Sequence, residues 1–262
     1  MPMRFGFSAL LVALTLNVAA CAPPVSIADP GKGRALARML GCTDCHGADL
    51  SGRKVSHNDD VVVLYSANLT RAVPNYTDPQ LKTVLTTGVR PDGTRLWQMD
   101  AAPYAVLSGQ DMAHLIAYLR ALPPVAQPRP RIKTTPTFTR LVLEGQVAPE
   151  SLTLAKDLAH PPLDLGPSFA RGRYLARTVC AGCHAPSLRG FEPGQPGDPP
   201  DLASVSGYTR NEFYALIREG RGRGGRDVGE MGKAARQRLA DLPPADIDAL
   251  FNYLTAWSKA QR

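Results

Sequence analysis

The stretch Cys42-Thr43-Asp44-Cys45-His46 decides the fold of this chain, and its pattern returns as Cys180-Ala181-Gly182-Cys183-His184. Both stretches follow the pattern C-x-x-C-H, which is typical of the covalent attachment of a c-type haem. Two thiols three positions apart lie about one helical turn from each other, so both can reach the two vinyl groups on one porphyrin edge. The histidine that follows is then placed to bind the iron as its proximal ligand.

The cysteine count supports this interpretation. One such pentapeptide is also compatible with a zinc site or a redox-active dithiol, but two copies in one chain favour haem. The chain has five cysteines, and Cys21 alone lies outside the two stretches, so no thiol pair remains for a structural disulfide. We therefore predict two covalently attached haem c groups. Their predicted attachment residues are Cys42, Cys45, Cys180 and Cys183, and their predicted proximal ligands are His46 and His184.

Residues 1–20 have the features of an export signal peptide. Arg4 is followed by the apolar run Phe7 to Leu16, which is too short to span a bilayer as a helix. Val18-Ala19-Ala20-Cys21 resembles a bacterial lipobox, in which the cysteine is lipidated and becomes the first mature residue. The alternative is an ordinary signal peptide with an incidental Cys21. The sequence predicts a periplasmic protein, lipid-anchored to the inner or outer membrane of a Gram-negative bacterium.

The length and charge of the chain limit its possible classes. Its 262 residues are enough for two domains that each bury a core. The formal net charge is +7, and the propionates of two haems would cancel most of it. Basic and aromatic residues do not form the pattern typical of nucleic-acid-binding proteins, so no nucleic-acid partner is expected.

The surroundings of the two stretches also repeat. Gly33-Arg34-Ala35-Leu36-Ala37-Arg38 leads into the first stretch, and Gly172-Arg173-Tyr174-Leu175-Ala176-Arg177 leads into the second. Further matches follow in the same order, pairing 68–70 with 201–203, 76–88 with 208–220, and 107–111 with 242–246. A tandem duplication is the simplest explanation. We therefore predict two copies of one domain, at 22–125 (the first half) and at 169–262 (the second half).

Each half is predicted to be mostly helical, which gives an all-α fold class. Apolar residues recur at helical spacing from about residue 31 to Cys42, at 80–87, after the favourable N-cap Ser108, at 210–219 and at 245–257. Tyr118 and Tyr253 stand at matching positions of the last helix in each half. We predict that they pack this helix onto the first helix.

Residues 126–168 separate the halves and are rich in proline. Proline lacks a backbone donor and disfavours a helix interior, so we predict extended chain here, with a β-prone run from Thr137 to Leu143. This run is apolar enough to lie on a domain surface. We call residues 126–168 the strap and predict that this Pro-rich linker is semi-rigid and partly packed rather than a free tether.

Each half resembles a class I cytochrome c domain, through its C-x-x-C-H stretch and the helices around it. In that family, a methionine on the loop before the last helix binds the distal side of the iron. Trp97-Gln98-Met99-Asp100 and Gly229-Glu230-Met231-Gly232 stand at the corresponding positions. The resemblance therefore implies Met99 and Met231 as distal ligands. A thioether is soft and uncharged, so it favours ferrous iron and raises the reduction potential relative to a second histidine.

Five other residues compete with these methionines. Met39 and Met112 lie on apolar helix faces, where core packing is the better interpretation. His57 lies in a polar loop, His114 shares a helix with Met112, and His160 lies in the strap, so these are weaker alternatives as haem ligands.

Two features depart from the family pattern. The distal methionine is often followed by proline, but Asp100 and Gly232 stand here. The family also often has a proline whose carbonyl orients the proximal histidine. Pro200 or Pro199 fits that role in the second half, whereas the matching position in the first half is Ala67. This difference leaves the tuning of the first haem open.

A run of basic residues surrounds Met231. One interpretation is counter-charge to haem propionates and nearby acidic side chains. The other is a docking rim for an acidic redox partner at the haem edge. The members of the run are Arg218, Arg221, Arg223, Arg226, Lys233, Arg236 and Arg238.

The first half also resembles the multi-haem cytochrome subunits of periplasmic alcohol and sugar dehydrogenases, through 68–70, 87–94 and 107–125. Those subunits have three haem domains, and this chain has two. The likeness implies a carrier that takes single electrons from a donor dehydrogenase and passes them toward an acceptor cytochrome or oxidase. The enzyme alternatives, a di-haem peroxidase or a thiosulfate dehydrogenase, need an iron with an open or displaceable ligand, and no catalytic His or Cys is evident. A redox or gas sensor would need a labile methionine ligand and an output module, and neither is evident in the sequence.

Overall fold

The computed structural model describes residues 27–56, 58–126, 132–190 and 198–261. The predicted signal peptide, the lipobox cysteine Cys21 and the alternative ligand His57 lie outside these described residues. The described chain is mostly helical, as predicted. None of its described helices combines the length and the apolar character that crossing a membrane requires.

The described residues of the first half form six short helices and one strand. A 3-10 turn at Val73–Asn75 follows the third helix. The helices are α1 (Pro30–Met39), α2 (Cys42–His46), α3 (Leu69–Ala72), α4 (Asp78–Thr87), α5 (Ala102–Ala105) and α6 (Gly109–Arg120), and the strand is β1 (Val62–Leu64).

The strap and the second half continue this pattern. The strap contributes β2 (Ile132–Thr134), α7 (Pro136–Leu143), a 3-10 turn at Glu150–Leu152 and α8 (Leu154–Ala159). The second half contains α9 (Ala170–Leu175), α10 (Ala181–His184), α11 (Arg210–Glu219), α12 (Gly229–Ala234) and α13 (Pro244–Ala260). It also has π-helical turns at Ala176–Cys180 and Ala235–Leu239, and 3-10 turns at Pro167–Phe169, Leu202–Gly207 and Arg223–Gly225.

Local sequence explains where the helices begin and end. α4 starts after Thr77, which exchanges hydrogen bonds with Gln80 in a capping box. α11 starts in the same way, with Thr209 and Glu212 as the reciprocal pair. The glycine that follows each of these helices adopts a left-handed backbone, which satisfies the last carbonyls. These limits agree with the helices predicted at 80–87 and 210–219.

Each half has its own hydrophobic core. The first core is formed largely by Leu50, Val73, Leu81, Leu85, Leu115 and Leu119. The second is formed largely by Leu175, Ile217, Ile247, Leu250, Leu254 and Trp257. Met112 is buried in the first core, as predicted. Met39 is also buried, but it belongs to the core of the second half, although it lies on the first helix of the first half.

The same helix crossing occurs in both halves. Gly33 on α1 lies so close to α6 that a Cβ added there would meet the His114 carbonyl oxygen at 1.9 Å and the Tyr118 Cβ at 2.7 Å. Gly172 on α9 lies as close to α13, where a Cβ would be 2.5 Å from the Tyr253 Cβ. The two tyrosines therefore lie where the last helix crosses the first, as predicted.

The extended conformation predicted for Thr137 to Leu143 is wrong, because this run forms α7. The Thr135 side chain caps it by accepting a hydrogen bond from the Phe138 backbone N–H. Pro136 stands at the first helical position, where its missing donor costs nothing. Phe138 is buried, with its ring centroid 5.2 Å from that of Trp97.

The strap is held against both halves. β2 pairs antiparallel with β1, so that Val63 stands opposite Lys133 in a two-stranded ladder. At its other end, the Leu163 carbonyl accepts a hydrogen bond from the Tyr253 hydroxyl at 2.9 Å. Arg173 donates to the Pro162 carbonyl at 2.8 Å. These contacts agree with the prediction of a partly packed segment.

Candidate functional site

A single helical turn presents the first C-x-x-C-H stretch. α1 ends at Met39, and Gly41, with a φ of 76°, turns the chain into α2. This left-handed backbone is readily adopted only by a residue without a Cβ. The turn at Cys42–His46 carries both thiols and the imidazole, as their spacing predicts.

The first stretch opens onto a cavity of about 670 Å³. Cys42, Cys45 and His46 line it, and Met99, which is distant in sequence, lines it as well. Much of the remaining wall is apolar and includes Leu64, Leu69, Val73, Leu81, Leu85 and Trp97. A cavity of this size, with two thiols, one imidazole and one thioether on its wall, fits a covalently attached haem.

Both candidate proximal histidines are oriented by a backbone carbonyl. His46 Nδ1 lies 2.7 Å from the carbonyl oxygen of Ala67. His184 Nδ1 lies 2.7 Å from the carbonyl oxygen of Pro200. When Nδ1–H donates to such a carbonyl, Nε2 keeps the lone pair that can bind iron. Of the two prolines considered for the second half, Pro200 provides this carbonyl, and Ala67 provides it in the first half without a proline.

Burial favours the uncharged forms of these groups. It lowers the pKa of His46 and of His184, which keeps both imidazoles neutral and able to act as ligands. It raises the pKa of Cys42 to about 11 and that of Cys180 to about 12. These two thiols are therefore protonated at neutral pH.

The backbone that leads into the second C-x-x-C-H stretch differs from that of the first. α9 runs on into the π-helical turn Ala176–Cys180 and then into α10, without the glycine break of the first half. Ala185, with a φ of 61°, ends the turn that carries Cys183 and His184. His184 is buried. The sequence pattern predicted the thiol spacing but not this continuous helix.

Each candidate distal methionine packs on the same core as the first cysteine of its half. Met99 is half-buried and contacts the first core, which contains Cys42. Met231 is half-buried on α12 and contacts the second core, as does Cys180. Met99 follows Gln98, whose φ of 53° is unusual for a residue with a side chain. Met99 thus lines the same cavity as the first stretch, whereas Met231 and Cys180 pack on the same hydrophobic core.

The alternative ligands have other roles in the described chain. His114 is buried, with Nδ1 accepting from the Asp29 backbone N–H at 2.7 Å and Nε2 lying 3.1 Å from the Gln110 amide nitrogen. His160 is exposed, with Nδ1 lying 3.3 Å from the Lys156 carbonyl oxygen. Both histidines therefore make local structural contacts.

Sequence reasoning missed Tyr104, which lines the same cavity on α5. Its hydroxyl lies 3.6 Å from the Cys42 Sγ, and both groups are buried. Burial raises the pKa of Tyr104 well above its usual value, so the hydroxyl stays protonated. In the sequence, Tyr104 stands between the predicted distal ligand Met99 and the N-cap residue Ser108, and this position was the only available signal.

The basic run around Met231 is largely engaged within the chain. Ion pairs join Arg221 to Glu219 and Lys233 to Glu230. Backbone carbonyls of the second half accept hydrogen bonds from Arg218, Arg223 and Arg236. These contacts favour the interpretation as internal counter-charge over that of a docking rim.

Comparison with known proteins agrees with this geometry. Residues 169–257 match the family model described as Cytochrome c. This match covers the second C-x-x-C-H stretch, the Pro200 carbonyl and Met231. The second half is thus similar to cytochrome c domains, a family that carries covalently bound haem c.

One similar curated protein is the fructose dehydrogenase cytochrome subunit of Gluconobacter japonicus. It is 25% identical over 254 residues, which cover 85% of this chain and 51% of the relative. The chain therefore spans about half the length of this relative. The likeness extends well beyond residues 169–257 and agrees with an electron-transfer role.

Proposed function

We propose that this chain is a di-haem c-type cytochrome that carries single electrons in a periplasmic respiratory chain. It would take electrons from a donor dehydrogenase and pass them toward an acceptor cytochrome or oxidase. The observation that carries the proposal is the repeated C-x-x-C-H stretch, whose histidine lies at hydrogen-bond distance from a backbone carbonyl in both halves, together with the cavity that the first stretch and Met99 line. The likeness to a dehydrogenase cytochrome subunit supports the direction of transfer.

In the proposed first site, Cys42 and Cys45 hold the haem covalently, and His46 and Met99 bind its iron. The second site uses the corresponding residues Cys180, Cys183, His184 and Met231. These sites lie in two cytochrome c domains at 22–125 and 169–262, which the strap at 126–168 joins.

The haem iron supplies a one-electron couple when it is bound, and the protein provides a fixed environment for it. The Ala67 and Pro200 carbonyls hold the two imidazoles in one tautomer and orientation. The largely apolar wall of the cavity at the first stretch would favour the less charged ferrous state of a bound haem. Met99 and Met231 would each provide a thioether ligand to an iron, and an iron with both a histidine and a methionine ligand would transfer electrons without binding a substrate.

We also propose that residues 1–20 export the chain and that lipidation of Cys21 anchors it to a membrane. The support is the order of Arg4, the apolar run and Cys21 in the sequence. Labelling with a fatty-acid analogue in the native bacterium tests this. The wild-type protein should carry the label, and the Cys21→Ser variant should lose it.

The decisive experiment measures haem content and axial ligation in the purified protein. We expect two haems per chain by the pyridine haemochrome assay. The double variant Cys42→Ser, Cys45→Ser and the matched variant Cys180→Ser, Cys183→Ser should each retain one haem. A wild-type protein with one haem would contradict the proposal.

Carbon monoxide binding then separates a carrier from an enzyme. If both irons have methionine ligands, the reduced protein should bind little carbon monoxide, because no coordination position is open. Ready binding at one haem would indicate an accessible iron, as a di-haem peroxidase or a thiosulfate dehydrogenase requires.

A further inference from the structure

The cavity at the first C-x-x-C-H stretch is not built by the first half alone. Thr178, Val179, Gly182 and Cys183 of the second half form part of its wall. Arg238, which belongs to the π-helical turn Ala235–Leu239, lines it as well. The second attachment stretch therefore borders the site of the first.

Arg238 contacts the first attachment stretch directly. Its Nε donates to the Asp44 carboxylate at 2.6 Å, and the side chains of the two residues are only 31% and 24% exposed. Asp44 lies between Cys42 and Cys45. A partly buried ion pair of this kind is screened less by solvent than the exposed pairs elsewhere on the chain.

The Arg238 side chain also lies close to the backbone of Gly41. A Cβ added at Gly41 would lie 2.7 Å from the central carbon of the Arg238 guanidinium. The guanidinium therefore packs on the turn that leads into α2. A second contact holds the two segments together, because Arg38 Nε donates to the Gln237 carbonyl at 2.7 Å and its guanidinium pairs with Asp241.

The Arg238–Asp44 pair places charge at the edge of the cavity. Arg238 and Cys45 both line the cavity wall, and Asp44, the partner of Arg238, precedes Cys45 in the chain. Other charged groups on the cavity wall are Arg90, Asp92, Arg95 and Asp100. Arg238 differs from these residues because it comes from the second half and is paired inside the attachment stretch.

We propose that the Arg238–Asp44 pair holds the second half against the first attachment stretch and sets the reduction potential of the first haem. The proposal rests on the proposed function, since it requires a haem at Cys42 and Cys45. Asp44 without its partner stabilises ferric iron, and Arg238 without its partner stabilises ferrous iron. The intact pair balances the two effects.

The test is a potentiometric titration of the purified holoprotein and of three variants. Arg238→Gln should lower the potential of the first haem, and Asp44→Asn should raise it. Each change should alter the reduction equilibrium constant by about tenfold, which corresponds to about 59 mV for one electron. The double variant should return close to the wild-type potential, because it removes both charges. A Met99→His variant identifies the first haem, because its potential should fall.

Arg210→Gln is the matched control. Arg210 also pairs with an aspartate, Asp248, and is not part of the cavity wall. Loss of the Arg210 charge also leaves an aspartate without its partner, but it should shift the reduction potential of the first haem much less. An Arg238→Lys variant keeps the positive charge but lacks the planar guanidinium group. The reduction potential of its first haem should therefore stay near that of the wild type.

The inference would be overturned if Arg238→Gln and Asp44→Asn shifted the reduction potential of the first haem in the same direction. It would also be overturned if variants that carry both haems had unchanged potentials. The proposed function would survive either result. A wild-type protein without haem at the first stretch would overturn both. If Arg238→Gln fails to fold, Asp44→Asn and Arg238→Lys still decide the question.

Discussion

The two C-x-x-C-H stretches present the same chemistry on different backbones. In the first half, Gly41 breaks the chain between α1 and α2, and His46 is bonded to the Ala67 carbonyl. In the second half, a π-helical turn leads without a break into α10, and His184 is bonded to the Pro200 carbonyl. The histidine therefore needs a carbonyl at the correct position, and that carbonyl need not belong to a proline.

The surroundings of the two stretches differ more than the stretches themselves. The first borders a cavity whose wall both halves supply, including Cys183 and Arg238. In the second, Cys180 packs on the core of its own half, and His184 is buried. The two stretches thus share their predicted ligand residues, while the contacts around the first depend on the other half.

The shared helix crossing offers the strongest test of this comparison. Gly172→Ala places a methyl group 2.1 Å from the Ala249 carbonyl oxygen, and Gly33→Ala places one 1.9 Å from the His114 carbonyl oxygen. Backbone atoms cannot yield as a flexible side chain can, so each variant should lose about 3 kcal/mol of unfolding free energy. Denaturant unfolding followed by far-ultraviolet circular dichroism measures this loss.

Gly109→Ala is the control for this prediction. Gly109 lies at the start of α6, and a Cβ there meets nothing within 4 Å. The unfolding free energy of the Gly109→Ala variant should change little or rise slightly, because alanine is a better helix former than glycine. Equal stabilities of the three variants would show that the two crossings are looser than the distances indicate.

Much of this architecture could be predicted from the sequence, because local patterns determine it. The helices α4 and α11 follow from apolar spacing and a threonine cap, and the matching tyrosines Tyr118 and Tyr253 lie at the predicted crossing. The helix α7 was missed, although Thr135 and Pro136 form a typical helix start. The high proline content of the strap outweighed that local signal in the prediction.

Other features could not be predicted because they depend on tertiary contacts. Any residue has a carbonyl, so nothing in the sequence marks Ala67 as the partner of His46. Apolar spacing predicts that Met39 is buried, but not that it packs on the core of the other half. The pairing of Arg238 with Asp44 joins residues far apart in the chain and has no local signal.

Pro200→Ala tests whether the carbonyl or the ring matters in the second half. The carbonyl remains in the variant, so the His184 hydrogen bond and the haem spectrum should persist. The variant should lose about 0.5–1 kcal/mol of stability, because the unfolded chain gains conformational freedom. Thermal unfolding and the visible spectrum provide both measurements.

Pro199→Ala makes the matched comparison for Pro200→Ala. It gives the unfolded chain similar freedom, but His184 is not bonded to the Pro199 carbonyl. Similar losses in both variants, with unchanged spectra, would support the carbonyl explanation. A spectrum altered only in Pro200→Ala would show that the ring itself positions the histidine.

The smallest expected effect concerns an acidic group between the strap and the first half. Burial raises the pKa of Glu150, and the charges of Asp100 and Asp157 raise it further. Protonated Glu150 therefore stabilises the fold below its usual pKa of 4.5, and this contribution is lost as the pH rises through the raised folded pKa. Glu150→Gln should thus raise the unfolding free energy at pH 7 by about 0.3 kcal/mol, a small effect because solvent screens the exposed carboxylate.

Glu212 provides a control of opposite sign in the second half. Hydrogen bonds from Thr209 lower its pKa, so its stabilising contribution is present above its usual pKa and is lost as the pH falls. Melting temperatures measured from about pH 4 to pH 7 should therefore rise with pH relative to wild type for Glu150→Gln and fall for Glu212→Gln. The same pH trend in both variants would mean that Glu150 is not held against the carboxylates of Asp100 and Asp157. The strap would then lie less closely on the first half than its other contacts indicate.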